Sequence, residues 1–188
     1  GVGSGGLSIP TLNWQPFTAP LPVPVLRYYT PVSAARHFKE RGNRAFQKRD
    51  WAEAEEWYAK SLGCKMDPKE FAEPYGMLHS NRAEVRLRVA NFTGAVEDAD
   101  TALKYLRTVS SDEGPTGLLK QKTAIRLAKA FQGLKRFSDA ARLLQEQRRY
   151  YPKNQEFERL NDELQLAMKA ESRAPRADSP SPPTCPWS

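Results

Sequence analysis

Residues 42–54, GNRAFQKRDWAEA, place two small residues, Gly42 and Ala54, twelve positions apart around a short polar break. The interval recurs at residues 83–95, AEVRLRVANFTGA, and at residues 128–140, AKAFQGLKRFSDA. In each copy a polar residue followed by an aromatic residue marks the break. Two helices can cross closely where the side chains at their contact are small. The pattern therefore predicts three helix-turn-helix repeats, with Gly42 as a packing glycine whose helical cost of about 1 kcal/mol is offset by close contact.

Composition and charge are those of a soluble, mainly helical protein with one domain. The 188 residues include 39% hydrophobic and 27% charged side chains, and 29 Lys and Arg against 22 Asp and Glu give a net charge of +7. A basic chain favours an anionic partner, such as nucleic acid, an acidic peptide or a membrane surface. No apolar run approaches the roughly 20 residues that span a bilayer, and no segment shows the strict alternation of a strand.

The two ends of the chain differ in composition from its middle. Residues 1–33 are rich in Pro and Gly and predict an extended N-terminal segment. Residues 173–188, rich in Pro and Ser, predict a disordered tail. Residues 34–172 between them form the predicted repeat domain, and its last stretch, with Phe157, Leu160, Leu164 and Met168 at helical spacing, predicts a capping helix.

The repeats resemble the tetratricopeptide repeat, a helix-turn-helix unit of 34 residues that stacks into arrays. The resemblance covers about residues 35–152, and Pro152 falls at the usual closing proline of the repeat. It implies an all-α fold in which three tandem repeats form a right-handed superhelix plus a C-terminal capping helix. The observed periods exceed 34 residues, so longer second helices or loops between the repeats must absorb the excess, around residues 65–76 and 107–117.

Five polar residues on the predicted first helices match a motif of this family. The strings KERGN, SNRA and KTAIR carry Lys39 and Asn43, then Asn81, then Lys122 and Arg126. The set is similar to the carboxylate clamp of tetratricopeptide co-chaperones, which bind the C-terminal EEVD peptide of the 70- and 90-kilodalton heat-shock chaperones. The resemblance implies an adaptor that binds a chaperone tail in its concave groove. It does not separate the two chaperone classes, although family frequency favours the 90-kilodalton class.

The chemistry of these five residues suits a chain-terminal aspartate. Such a residue carries two carboxylates, to which Asn amides can donate while Lys and Arg supply charge. A pocket built for both carboxylates would reject an internal segment, because burying unpaired donors costs about 1–3 kcal/mol. Taken singly, each of the five residues is more simply read as an ordinary surface lysine, helix amide or ion-pairing arginine.

Further residues of the predicted groove could set the preference for the ligand. Glu84 departs from the family, which often has a small residue at this position, and it could either repel an acidic peptide or pair with a basic residue of the groove. The other predicted groove and specificity residues are Phe46, Leu87, Lys129 and Gln132.

Other functions have weaker support. Residues 146–154, EQRRYYPKN, mix basic and aromatic side chains as single-stranded RNA sites do, so a scaffold that binds RNA or another acidic peptide is the alternative reading. His37, His79, Cys64 and Cys185 lie at spacings that form neither a catalytic triad nor a zinc site. We therefore expect no enzymatic activity, no cofactor, no metal and no small-molecule substrate.

The cysteine content indicates a reducing compartment, and we expect a cytoplasmic location. An organellar location stays open, because a targeting segment could precede residue 1.

Overall fold

The computed structural model describes residues 30–110 and 113–173, and these ranges contain seven α-helices and no strand. The helices are α1 (Pro31–Gln47), α2 (Trp51–Leu62), α3 (Ala72–Arg88), α4 (Phe92–Arg107), α5 (Gly114–Gly133), α6 (Phe137–Tyr150) and α7 (Gln155–Arg173). The first six form the pairs α1–α2, α3–α4 and α5–α6, and α7 follows as the capping helix. The predicted all-α fold with three tandem repeats is confirmed.

The predicted terminal segments lie almost wholly outside the described residues, which exclude 1–29 and 174–188. Helix α1 begins at Pro31, so the helical domain starts three residues before the expected boundary at 34. Proline is well tolerated in the first turn of a helix, because its missing N–H would have no intrahelical partner there. Among the described helices, none is long and apolar enough to cross a bilayer.

The excess over the standard repeat period lies where the sequence predicts it. Residues 63–71 connect α2 to α3, and residues 108–113 connect α4 to α5. Helix α4 also has 16 residues, against 12 in α2. Connections and second-helix length together therefore account for the longer repeats.

The turn inside each helix pair has the same backbone geometry in all three repeats. Arg49, Ala90 and Lys135 adopt left-handed conformations, with φ of 63°, 57° and 57°. In each turn the next residue donates its backbone N–H to the carbonyl five positions earlier: Asp50 to Ala45 at 3.0 Å, Asn91 to Arg86 at 2.8 Å and Arg136 to Phe131 at 2.8 Å. This is the Schellman arrangement that ends many helices.

The second helices of the first two repeats start at capped residues. The carboxylate of Asp50 accepts from the backbone N–H of Glu53 at 3.0 Å, and the amide oxygen of Asn91 accepts from that of Gly94 at 3.1 Å. Asp50 and Asn91 are therefore the N-caps of α2 and α4. In the third repeat Arg136 has no side-chain cap of this kind.

The small residues that define the repeat are buried at the helix contacts. Ala54, Ala83, Ala95 and Ala140 have no exposed surface, and Ala128 is 2% exposed. Gly42 is buried as well, and a Cβ atom placed there would lie 2.7 Å from Cε1 of Tyr58 on α2. The tyrosine is itself 2% exposed, so its ring cannot move aside freely. The predicted role of Gly42 as a packing glycine is confirmed.

A buried carboxylate connects the two helices of the second repeat. Asp98 on α4 is 2% exposed and accepts hydrogen bonds from Arg82 Nε at 2.8 Å and from Arg82 Nη2 at 2.7 Å. Nδ1 of His79 donates to the same carboxylate at 2.8 Å, and Arg86 Nη1 lies 3.0 Å from it. Arg86 also bonds to Glu55 on α2 at 2.8 Å, so this network ties the first repeat to the second.

The pKa of Asp98 reflects these partners. Burial on its own would raise the pKa, but the hydrogen bonds from Arg82 and His79 and the charges of Arg82 and Arg86 outweigh it, so the pKa lies below its ordinary value. A carboxylate with a lowered folded-state pKa stabilises the fold above its unfolded pKa of about 3.9. That contribution is lost as the pH falls through the folded-state pKa.

Replacing Asp98 with Asn should lower the free energy of unfolding by about 3 kcal/mol near neutral pH, because two arginines would lose their buried counter-charge. The deficit should shrink as the pH falls from about 3.9, the unfolded-state pKa, through the lowered folded-state pKa of Asp98, because the wild-type carboxylate then becomes protonated too. Urea unfolding followed by circular dichroism at several pH values measures this. The control Asp100→Asn removes an acid of the same helix that is exposed and paired with Lys104, and it should change stability by less than about 0.5 kcal/mol. Equal effects of the two substitutions would contradict the assignment.

Replacing Gly42 with Ala should lower the free energy of unfolding by roughly 1–2 kcal/mol, because the overpacking against Tyr58 exceeds the gain in helix propensity. The matched control is Gly63→Ala, since a Cβ atom at Gly63 would make ordinary contacts, the nearest at 3.4 Å. That variant should be neutral or slightly more stable in the same urea titration. A stabilised Gly42→Ala protein would show that the α1–α2 contact has room to spare.

Candidate functional site

The first helices of the three repeats lie side by side. The hydroxyl oxygens of Ser80 on α3 and Thr123 on α5 are 2.7 Å apart, and both residues are fully buried. Nζ of Lys39 on α1 lies 3.8 Å from Sδ of Met77 on α3. These contacts connect α1 to α3 and α3 to α5. We use the term groove face for the surface of α1, α3 and α5 on which the sequence predicts Lys39, Asn43, Asn81, Lys122 and Arg126.

Asn43 is oriented by a tyrosine of the second helix. The hydroxyl of Tyr58 donates to Oδ1 of Asn43 at 2.7 Å. Burial raises the pKa of Tyr58 to about 12, and the charge of Arg126 lowers it in part. The hydroxyl therefore stays protonated at physiological pH and keeps donating. Because the amide oxygen is already engaged, the NH₂ group of Asn43 is the end that can donate to a ligand carboxylate.

Arg126 on α5 forms hydrogen bonds with two residues of α3. Its Nη1 donates to Oγ of Ser80 at 2.6 Å, and its Nε donates to Oε2 of Glu84 at 2.9 Å. The side chains of Arg126 and Glu84 are 17% and 18% exposed. Arg126 therefore joins α5 to α3 through two hydrogen bonds, and its charge also lowers the pKa of Tyr58 in part.

Glu84 is bound by two arginines. Its Oε1 accepts from Arg88 Nε at 2.9 Å, while Oε2 accepts from Arg126. Burial would raise the pKa of Glu84, but the charges and hydrogen bonds of Arg126 and Arg88 outweigh it and hold the pKa below its ordinary value. Glu84 is therefore ionised at neutral pH. Of the two possibilities that the sequence leaves open for Glu84, the structure has the ion pair within the groove.

Lys39 also lines a cavity with mainly apolar walls. The cavity has a volume of about 310 Å³ and is bounded by α1, by the connection that follows α2, and by α3. Its lining includes Val32, Arg36, Lys39, Met66, Phe71 and Met77. Asn43, Asn81, Lys122 and Arg126 do not line it. The cavity could take an apolar group beside a carboxylate bound to Lys39.

Asn81 and Lys122 have no hydrogen bond or ion pair to another residue within 30–110 and 113–173. Asn81 is half-buried and follows Ser80, the α3 partner of Arg126. Lys122 is exposed and lies one helical turn before Arg126 on α5. Their positions keep them on the same helices as the contacts above, and their polar groups can reach solvent or a ligand.

The other predicted specificity residues have mixed surroundings. Phe46 packs edge-on against Trp51, with ring centroids 5.1 Å apart, and belongs partly to the core of the first repeat. Lys129 is exposed and pairs with Glu156 of α7 at 3.1 Å. Leu87 and Gln132 are half-buried. Lys129 therefore contacts the capping helix. The specificity roles of Phe46, Leu87 and Gln132 stay predictions.

The basic and aromatic cluster at residues 146–154 lies at the end of α6 and in the turn to α7. Arg148 bonds to Glu158 of α7 at 3.2 Å, whereas Tyr150 is 64% exposed. At least one of its basic residues therefore has a partner within the fold.

Two features of the site were not found by sequence reasoning. Tyr58 gives no signal in the sequence beyond that of an aromatic residue in a helical pattern, yet it faces Gly42 and brings a hydroxyl to Asn43. The pair of Ser80 and Thr123 gave no signal, because nothing in the sequence relates hydroxyls 43 positions apart. Both now explain how Asn43 and Arg126 are held.

Among curated proteins, the chain is similar to Hsp70/Hsp90 co-chaperones. It is 28% identical over 135 residues to cns1 of Schizosaccharomyces pombe, which covers 72% of this chain and 34% of that protein. It is 32% identical over 73 residues to CNS1 of Saccharomyces cerevisiae, covering 39% of this chain and 18% of that protein. The chain thus spans about a third or less of the length of these relatives. No protein-family model matches it.

Among solved structures, the chain is similar to Hsp90 co-chaperone Cns1 from Saccharomyces cerevisiae, with 25% identity, a TM-score of 0.62, and coverage of 78% of this chain and 44% of that one. It is also similar to the first tetratricopeptide domain of Spaghetti (RPAP3) bound to the HSP90 peptide SRMEEVD, with 23% identity, a TM-score of 0.59, and coverage of 72% and 94%. The chain therefore has the tetratricopeptide-repeat fold, with a domain similar to those of Hsp90 and Hsp70 co-chaperones.

Proposed function

We propose that the domain is an adaptor that binds the acidic C-terminal EEVD peptide of the 70- or 90-kilodalton heat-shock chaperones. The observation that carries the proposal is that the fold holds a predicted residue of the first repeat and one of the third in fixed orientations. Tyr58 binds Asn43 at 2.7 Å, and Ser80 and Glu84 bind Arg126 at 2.6 and 2.9 Å. Lys39 and Lys122 add charge on the same helices. Asn81 adds an amide between them.

The proposed chemistry divides the two carboxylates of the terminal aspartate among these side chains. Lys39 and the NH₂ groups of Asn43 and Asn81 bind one carboxylate, while Lys122 and Arg126 bind the other. Arg126 uses Nε and one N–H of Nη1 within the fold, and the guanidinium carries three further N–H donors. Charge-assisted hydrogen bonds of this type are roughly twice as strong as neutral ones.

The comparisons support this ligand class. Proteins similar to the chain are described as Hsp70/Hsp90 co-chaperones. Similar domains were solved with an HSP90 peptide, SRMEEVD, and with an HSP70 peptide, SGPTIEEVD. Because both chaperone classes occur among the ligands of these similar domains, the proposal covers both.

We also propose that the domain works by binding alone, without enzymatic activity, and that it does so in the cytoplasm. The histidine that could have served catalysis, His79, donates to the buried Asp98 and so has a structural role. The curated relatives are described as Hsp70/Hsp90 co-chaperones, a description that names a binding function and no reaction. The proposed extent of the binding domain is residues 31–173.

The proposal predicts micromolar affinity, near −8 kcal/mol, for a peptide ending in EEVD. Lys39→Ala should weaken binding at least tenfold, because a charge-assisted hydrogen bond contributes about 1.5–3 kcal/mol. Isothermal titration calorimetry measures the change. The control is Lys104→Ala, which removes an exposed lysine that pairs with Asp100 on α4. This control should bind like the wild type.

The same titration with a C-terminally amidated peptide tests the carboxylate itself. Amidation removes the terminal charge and leaves the acidic side chains in place, so binding should fall by at least about tenfold. Equal affinity for the free and the amidated peptide would exclude the proposed clamp. Binding of single-stranded RNA in preference to either peptide would favour the alternative scaffold role.

A further inference from the structure

We propose that Glu84 is a specificity-determining residue. It acts as a built-in counter-ion of Arg126, so that the groove recognises the terminal carboxylates of a ligand while gaining little from acidic side chains upstream of them. The inference rests on the proposed function and adds a preference within it.

The geometry makes Glu84 part of the groove face. Its carboxylate occupies Nε of Arg126, one of the three cationic side chains among the five predicted clamp residues. The pair is largely shielded from water, with both side chains less than one-fifth exposed. Shielded pairs are weakened by salt less than exposed ones. Arg126 therefore meets a ligand with its charge already partly neutralised.

The arginine is also held from a second direction. Nη1 of Arg126 donates to Ser80, whose hydroxyl meets Thr123 inside the α3–α5 contact. Swinging Arg126 away from Glu84 towards a ligand would break both contacts. An acidic ligand side chain near this position therefore gains little, since it meets the carboxylate of Glu84 together with the charge of Arg126.

The second arginine of the network does not restore the lost charge. Arg88 lies four residues after Glu84 and is 56% exposed, so water screens its charge. Arg88 also donates to Oε1 of Glu84, the carboxylate oxygen that Arg126 does not use, and so holds the carboxylate in place. Around Glu84 the groove thus has two cations and one anion, and the anion lies between the cations.

The test is a double-mutant cycle that combines one substitution in the protein with one change in the peptide. The protein change is Glu84→Gln, which keeps the shape of the side chain and removes its charge. The ligands are a peptide ending in EEVD and a peptide ending in QQVD, in which both glutamates are neutral and the terminal aspartate is intact. Calorimetry gives the four dissociation constants, and thermal unfolding followed by circular dichroism reports folding.

We expect the wild-type protein to bind the two peptides within about threefold of each other. Glu84→Gln should bind the EEVD peptide about tenfold more tightly than the wild type does, because the freed Nε of Arg126 gains a glutamate of the ligand as its partner. The QQVD peptide should gain less, at most about threefold, because its terminal carboxylate meets only the restored charge of Arg126. Glu84→Ala should act in the same direction. An equal gain for both peptides, or no gain for either, would overturn the inference.

Two controls separate the possible failures. Glu56→Gln removes one negative charge from an exposed ion pair with Lys60 on α2 and should change neither affinity. If it tightened EEVD binding as much as Glu84→Gln does, the effect would come from the net charge of the domain and not from the position of Glu84. If the Glu84 variants unfold, the test is the ratio of the wild-type dissociation constants for the QQVD and EEVD peptides. A preference of the wild type for EEVD above tenfold then overturns the inference. An amidated EEVD peptide that binds as well as the free one would instead reject the proposed clamp.

Discussion

The close approach of the two helices in each repeat is the constraint on which the rest of this structure depends. Gly42 makes it possible in the first repeat, where even a methyl group would meet the ring of Tyr58 at 2.7 Å. Ala83 and Ala128 occupy the corresponding positions of the other repeats and are buried. Because helix separation depends on the side chains at the crossing, larger residues here would push the pairs apart. The first helices would then no longer present their polar residues on one face.

The same contact connects the core to the binding surface. Tyr58 fills the space that Gly42 leaves, and its hydroxyl reaches Asn43, the next residue along α1. On the far side, Ser80 and Thr123 join α3 to α5 and give Arg126 a fixed partner. Side chains of the core therefore orient the groove residues, so that less conformational entropy is lost when a ligand binds.

The sequence was sufficient to predict the repeat, because a twelve-residue interval between small residues reports on helix packing directly. It also placed the five predicted clamp residues on the first helices of the three repeats, which is where they lie. It could not predict the Asp98 network, because the pairing of His79 and Arg82 with that acid depends on how two helices are rotated. The partner of Glu84 was undecided for the same reason.

The charge balance of the groove follows from these fixed positions. A cluster of lysine and arginine with no acid nearby would repel itself and lower the stability of the fold, while an acid placed among them relieves that repulsion at the expense of affinity. In this chain Glu84 accepts bonds from Arg126 and Arg88 and contributes that relief between α3 and α5. Within the described residues, neither Lys39 nor Lys122 forms an ion pair with this acid. In the proposed clamp, a groove with this balance would take most of its binding energy from the end of the ligand chain.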